Sequence, residues 1–196
     1  MESLTFATAF LVKTLFSLYI LAVMLRFLLQ LARADFYNPL SQAIVKITDP
    51  ALRPLRRVIP GLAGIDFSSL VLALLVQIAG ICLVYLLYGE PVPNFLLVFL
   101  WACVGLMAIV LNIYFFALII VIILSWVAPH SYNPMAILVQ QLTDPIMRPA
   151  RSVIPPIGGL DLSPIFIFIA IKLIEILVIG ELARLLSIPR QVMLGL

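Results

Sequence analysis

Charge is what this sequence has least of. Twelve Lys and Arg and nine Asp and Glu are spread over 196 residues, where an ordinary soluble domain is about a quarter charged. With 64% of the residues hydrophobic, a soluble globule of this length is excluded, because a small globule keeps much of its surface wet. Histidine is nearly absent. His130 stands alone, with no second histidine and no cysteine close in sequence, which argues against a metal site or a Cys/His catalytic pair. The two cysteines, Cys82 and Cys103, lie inside apolar runs and form neither a disulfide framework nor a metal-ligand spacing, so they read as small hydrophobes. No Gly-rich phosphate loop, GxSxG or HExxH is present. The expectation is a non-enzymatic chain with no catalytic residues, cofactor, metal or small-molecule substrate, and no direct nucleic-acid binding.

What is present is apolar sequence in long runs. Four stretches, about residues 4–31, 69–88, 99–127 and 164–186, approach or exceed the ~20 helical residues that cross ~30 Å of hydrocarbon. The fold class expected is all-α and integral to a membrane, with four transmembrane helices. The first stretch lacks a basic leader and a small-residue cleavage site, so it reads as a retained span. The third, whose apolar run begins at Phe95, holds no charge and exceeds one crossing. Two polar connectors, about residues 32–68 and 128–163, fall on one side of such a bundle; the short turn 89–94 and both termini fall on the other. The connectors carry Arg33, Lys46, Arg53, Arg56, Arg57, Arg148 and Arg151. The positive-inside bias therefore predicts cytoplasmic connectors and termini on the opposite, periplasmic side.

The connectors are copies of one another. Shifting the chain by 95 places residues 37–69 over 132–164 without a gap, with 15 of 33 positions identical. TDPALRPLRRVIP at 48–60 overlies TDPIMRPARSVIP at 143–155. Residues 1–95 and 96–196 are thus predicted to be tandem repeats, each a span, a connector and a span. Two spans per unit give both copies the same orientation, with a pseudo-two-fold axis along the membrane normal.

Each connector opens with Asn-Pro (Asn38-Pro39, Asn133-Pro134), an N-cap and first-turn proline. Leu40, Ala43, Ile44 and Ile47, matched by Met135, Leu138, Val139 and Leu142, recur at i, i+3, i+4 and i+7, one face of an amphipathic helix at the membrane interface. Thr48-Asp49-Pro50 and Thr143-Asp144-Pro145 resemble a second N-cap, so each connector is expected to hold short helices. Asp49 and Asp144 also stand four residues before Arg53 and Arg148, the favourable order for an ion pair. Asp66, Asp161 and Ser163 are the expected caps of the second and fourth spans. Arg53, Arg56, Arg57, Arg148 and Arg151 have two readings. They anchor the chain on anionic lipid headgroups, at about 1 kcal/mol per base, or they form a duplicated docking surface for a protein partner or a second copy.

The pattern NP…TDPxxRPxRxVIP…GxDxSP, flanked by spans, resembles the YggT/YlmG family of bacterial and plastid membrane proteins. The second copy fits it throughout; the first has Ser69 where the last proline is expected. The resemblance covers nearly the whole chain and implies a two-repeat protein of the bacterial inner membrane. It further implies a link to osmotic and potassium stress, to cell division and nucleoid organisation, or to plastid cytochrome assembly. It supplies no catalytic residues.

Polar groups inside the spans are costly in lipid and usually face the bundle interior. Arg26 begins a stripe with Gln30 and Arg33, Gln77 is the one strongly polar side chain of the second span, and Lys172 and Glu175 pair at i,i+3 on the fourth. These residues pair and snorkel at helix ends, or they line a repeat or subunit interface. The leading expectation is a membrane scaffold or assembly factor working through its Asp/Arg connectors. The alternative is a channel or transporter subunit using Lys172, Glu175 and Arg26.

Overall fold

The computed structural model describes residues 2–59, 61, 64–127, 133–153, 161 and 163–189. His130, Arg190 and the prolines that end the two Val-Ile-Pro segments (Pro60, Pro155) lie outside them. The described residues are helical almost throughout: α1 (Glu2–Leu31), α2 (Pro39–Val58), α3 (Phe67–Tyr88), α4 (Phe95–Val127), α5 (Pro134–Val153) and α6 (Ser163–Ile174). A π-helical turn, Glu175–Gly180, carries α6 into the short α7 (Glu181–Leu185). Three helices, over Ser3–Leu31, Phe67–Tyr88 and Phe95–Ser125, are long and apolar enough to cross a membrane. The last helical segment is interrupted by Lys172, Glu175, Glu181 and Arg184.

The two copies build matching elements. α2 and α5 are each 20 residues long, opened by Asn38 and Asn133, whose side chains accept the N–H of Leu40 and Met135. The bundle packs around α3, which lies against both α1 and α4, whereas α6 lies against α4 and α5 and does not touch α1. Ile20, Val23, Met24 and Leu28 of α1 meet Leu72, Ala73, Ile81 and Val84 of α3, with Val98, Trp101 and Ala102 of α4 on the other side. Alanines at the contacts let backbones approach closely, the packing that holds apolar helices together where lipid offers no hydrophobic drive. Tyr85 stacks on Trp101 at 6.2 Å, and Trp101 Nε1 donates to the carbonyl of Leu186 at 3.0 Å.

One sequence expectation fails here. The TDP triplets do not restart a helix. Pro50 and Pro54 lie inside α2, as Pro145 and Pro149 lie inside α5. A proline removes the bond to the carbonyl four residues earlier. All four prolines are exposed, so the lost bonds fall on one outer edge. The buried side of α2, through Ser41, Thr48 and Leu52, continues unbroken. Each connector is therefore one prolonged helix instead of two short ones.

Candidate functional site: the paired connectors

α2 and α5 sit together at one end of the bundle and touch. Hydrogen bonds join the repeats there: Asn38 Nδ2 donates to the Pro134 carbonyl at 2.7 Å, and the Asp35 N–H donates to Gln141 Oε1 at 2.9 Å. The Asn-Pro that starts one connector thus also grips the start of the other.

Arg26 bolts α2 to α1. It is buried (5% exposed side chain), and its Nη1 lies 2.7 Å from Asp49 Oδ1. The same nitrogen donates to Thr48 Oγ1 at 2.7 Å and to the Val45 carbonyl at 3.3 Å. Thr48 passes its own proton back to the Ile44 carbonyl at 2.8 Å, so it is a relay and not a cap. Asp49 is likewise no cap; its second oxygen takes Arg53 Nη2 at 3.0 Å. In the second copy Val121 stands where Arg26 does in the first, one shift of 95 along. Among the described residues Asp144 there keeps Arg148 alone, at 2.8 Å.

A second pair recurs in both copies. Arg56 Nη2 bonds Asp66 Oδ2, and Arg151 Nε lies 2.7 Å from Asp161 Oδ2. Asp66 is the N-cap of α3, accepting the Ser69 N–H and the Ser69 hydroxyl; Ser68 Oγ ties the same corner to the Ile59 carbonyl. Asp161 accepts the Ser163 N–H at 3.0 Å, and Ser163 is the first residue inside α6. The constant offset of ten between arginine and aspartate in both copies was the available sequence signal for these pairs. For Arg26 with Asp49 the repeat carried no signal, because only one copy has the arginine.

The five arginines of the two TDP segments therefore divide. Arg56 and Arg151 are turned back onto their own chain. Arg53 and Arg148 are mostly exposed despite their aspartates, and Arg57 is exposed with no ion pair among the described residues. Val58 and Val153, one shift apart, are each 79% exposed beside them. Of the polar groups in the apolar helices, Gln77 is fully buried in α3. Lys172 and Glu175 neutralise one another at 2.6 Å on an outward side, with Lys172 4.6 Å from the centre of the Phe115 ring. Among the described residues no group of three or more His, Cys, Asp or Glu comes together as a metal site.

The sequence model of the CCB3/YggT family matches residues 5–87 and again residues 100–182. The chain belongs to this family. A protein of Pseudomonas aeruginosa is 52% identical over 192 residues, covering 97% of this chain and 98% of its own length. YggT of Escherichia coli K12 is 36% identical over 169 residues, covering 85% and 86%. A shorter likeness, 41% over 65 residues, joins it to the chloroplastic YlmG homolog protein 2 of Arabidopsis thaliana and covers 32% of this chain and 24% of that one. No solved structure matches. Each of the two family matches begins in the first helix of a unit and ends in its last, so every connector ion pair above lies within a matched segment.

The aspartates set an acid limit. The Arg26 hydrogen bond, above the opposing effect of burial, holds the Asp49 carboxyl below its usual range. At Asp66 burial pushes upward, but the bonds from Arg56 and Ser69 together outweigh it, and Asp161 is lowered in the same way by Arg151 and Ser163. A depressed carboxyl contributes stability above its unfolded value of ~3.9 and loses it as pH falls through the folded value. Connector protection, read by hydrogen exchange of α2 and α5 in detergent, is expected to be flat from pH 8 to about 5 and to decay below about pH 4. Decay near pH 6 would mean that other groups govern it.

Proposed function

We propose that this CCB3/YggT protein is a four-span, non-enzymatic inner-membrane scaffold whose paired connectors form a docking platform on the cytoplasmic face. The observation that carries the reading is the duplicated outer edge, Arg53, Arg57 and Val58 on α2 with Arg148 and Val153 on α5, exposed on two helices fastened to each other and to the bundle. Cations beside exposed apolar side chains suit an acidic protein partner or anionic headgroups. The ion pairs and caps behind that edge preorganise it, which lowers the entropy lost on binding. The helical run through α6 and α7 serves as the fourth span, its four charges neutralised as two i,i+3 pairs, Lys172 with Glu175 and Arg184 with Glu181. The family's link to cell division, envelope organisation or osmotic stress fits an assembly role of this kind.

The test reverses Arg53, Arg57 and Arg148 to glutamate and leaves Arg56 and Arg151, which the fold uses. Crosslinking from Gln42 in the native membrane is expected to capture a partner with wild type and to lose it with the triple variant, while insertion is unchanged. Unaltered capture and growth under osmotic stress would sink the scaffold reading. Cysteines at Gln42 and Glu90, in a background without Cys82 and Cys103, should label from opposite sides.

A further inference from the structure

A cleft of about 1050 Å³ separates the two repeats, just above the ~300–1,000 Å³ typical of ligand pockets. Its walls are α1, through Thr14, Ser17, Leu18 and Leu21, and α4, through residues such as Asn112 and Phe116. Its floor is the apolar face of both connectors, Leu40, Ala43, Ile44 and Ile47 beside Met135, Leu138, Val139 and Leu142. The face that the sequence places on a membrane surface thus points into the gap between repeats. The gap is open because the symmetry is incomplete: α3 bridges α1 and α4, and α6 has no matching contact with α1.

Among the described residues one charged side chain lines the cleft. Lys13 stands at the end away from the connectors, 6.0 Å from the centre of the Tyr88 ring at the close of α3, with no carboxylate in ion-pair range among the described residues. From Lys13 to Leu29, which lines the cleft near the connectors, α1 advances about 24 Å at 1.5 Å per residue. That exceeds the half of a ~30 Å hydrocarbon layer that one leaflet's tails fill. The cleft matches an amphiphile with an anionic head and a long tail, in charge at its mouth and in length below it.

We propose that the cleft is a phospholipid site, with the phosphodiester on Lys13 and an acyl tail running between α1 and α4 to the connector floor. A lipid held there completes the packing that α6 leaves undone and bears directly on the underside of both connectors. The proposal rests on the bilayer placement of the helices and not on the docking edge.

The test uses full-length protein in vesicles of phosphatidylcholine containing a phosphatidylglycerol with a diazirine near its tail end. The readout is the ratio of label on cleft residues to label on the outward side of α1. Wild type is expected to favour the cleft. Ser17→Trp, which obstructs the path between α1 and α4, should bring the ratio towards unity, while Leu11→Trp, outside the cleft and exposed, should leave it unchanged. Lys13→Gln should lower phosphatidylglycerol retention through purification roughly fivefold. A ratio unaffected by Ser17→Trp, or a second copy crosslinked within the cleft in place of lipid, overturns the proposal. Failure of wild type to float with the vesicles would instead remove the bilayer reading on which it stands.

Discussion

Asp49→Ala is expected to destabilise the folded chain by about 3–5 kcal/mol, the range for stranding one member of a buried ion pair. The variant leaves Arg26 almost fully buried with only Thr48 and the Val45 carbonyl for company, and neither carries a compensating charge. Asp144→Ala, the same change one repeat later, should cost no more than about 0.5 kcal/mol, as exposed i,i+4 pairs do. Its partner Arg148 is simply released to solvent or headgroups. Arg26→Leu is expected to fall between the two. It leaves Asp49 with Arg53, the arrangement that Asp144 already has with Arg148. Resistance to thermal unfolding in detergent, together with protease cutting within α2, orders the three variants. Equal losses from Asp49→Ala and Asp144→Ala would refute the lock.

The second large effect is expected at the corner between α2 and α3. Asp66→Ala removes the N-cap of α3, the partner of Arg56 and the acceptor for the buried Ser69 hydroxyl in one step. A lost cap costs about 1 kcal/mol and a buried donor left unsatisfied about 1–3 kcal/mol. A total of about 2–4 kcal/mol follows. Asp66→Asn separates these contributions, since asparagine caps as well as aspartate but cannot hold Arg56 electrostatically. It should recover at least half of the loss at neutral pH and should flatten the acid transition. Asp161→Ala is expected to cost less than Asp66→Ala, because its carboxylate is 32% exposed where that of Asp66 is 4%. The assay is the same thermal series run at pH 7 and pH 4. If Asp66→Asn matched Asp66→Ala at both, the cap would be irrelevant.

Much of the helical layout was legible because apolar run length and proline-preceding asparagine act locally. The starts of α2 and α5 follow from Asn38 and Asn133, and the end of α3 at Gly89 follows from a left-handed residue that glycine adopts freely (φ 71°). The interior prolines misled because a triplet such as Thr48-Asp49-Pro50 caps a helix only when nothing else claims its side chains. In both copies the threonine donates to the carbonyl four residues back and the aspartate pairs with the arginine four ahead, and in the first copy Arg26, 23 residues upstream of Asp49, claims Thr48 and Asp49 as well. No periodicity reveals such a bond, since it depends on how α1 and α2 fold back on each other. The destination of the connectors' apolar face was hidden for the same reason. A hydrophobic stripe specifies that it must leave water, and both a bilayer surface and an inter-repeat gap meet that demand.

The π-helical turn bears on how far the duplication can be followed in space. α3 closes with the Gly89 N–H on the Leu86 carbonyl and the Glu90 N–H on that of Tyr85; the last helix closes with Ser187 on Arg184 and Ile188 on Ala183. Ser187, like Gly89, is left-handed (φ 49°). These equivalent closures stand 98 positions apart, where the connectors keep a shift of 95. A helix gripped on two sides, as α3 is, accepts no change of phase without clashing. The last helix packs on α4 and α5 only as far as Ile174 and on α4 alone beyond it, which accommodates an irregular turn and a later ending. Beyond Ile174, then, matched residues of the two halves share ancestry but no longer share a direction.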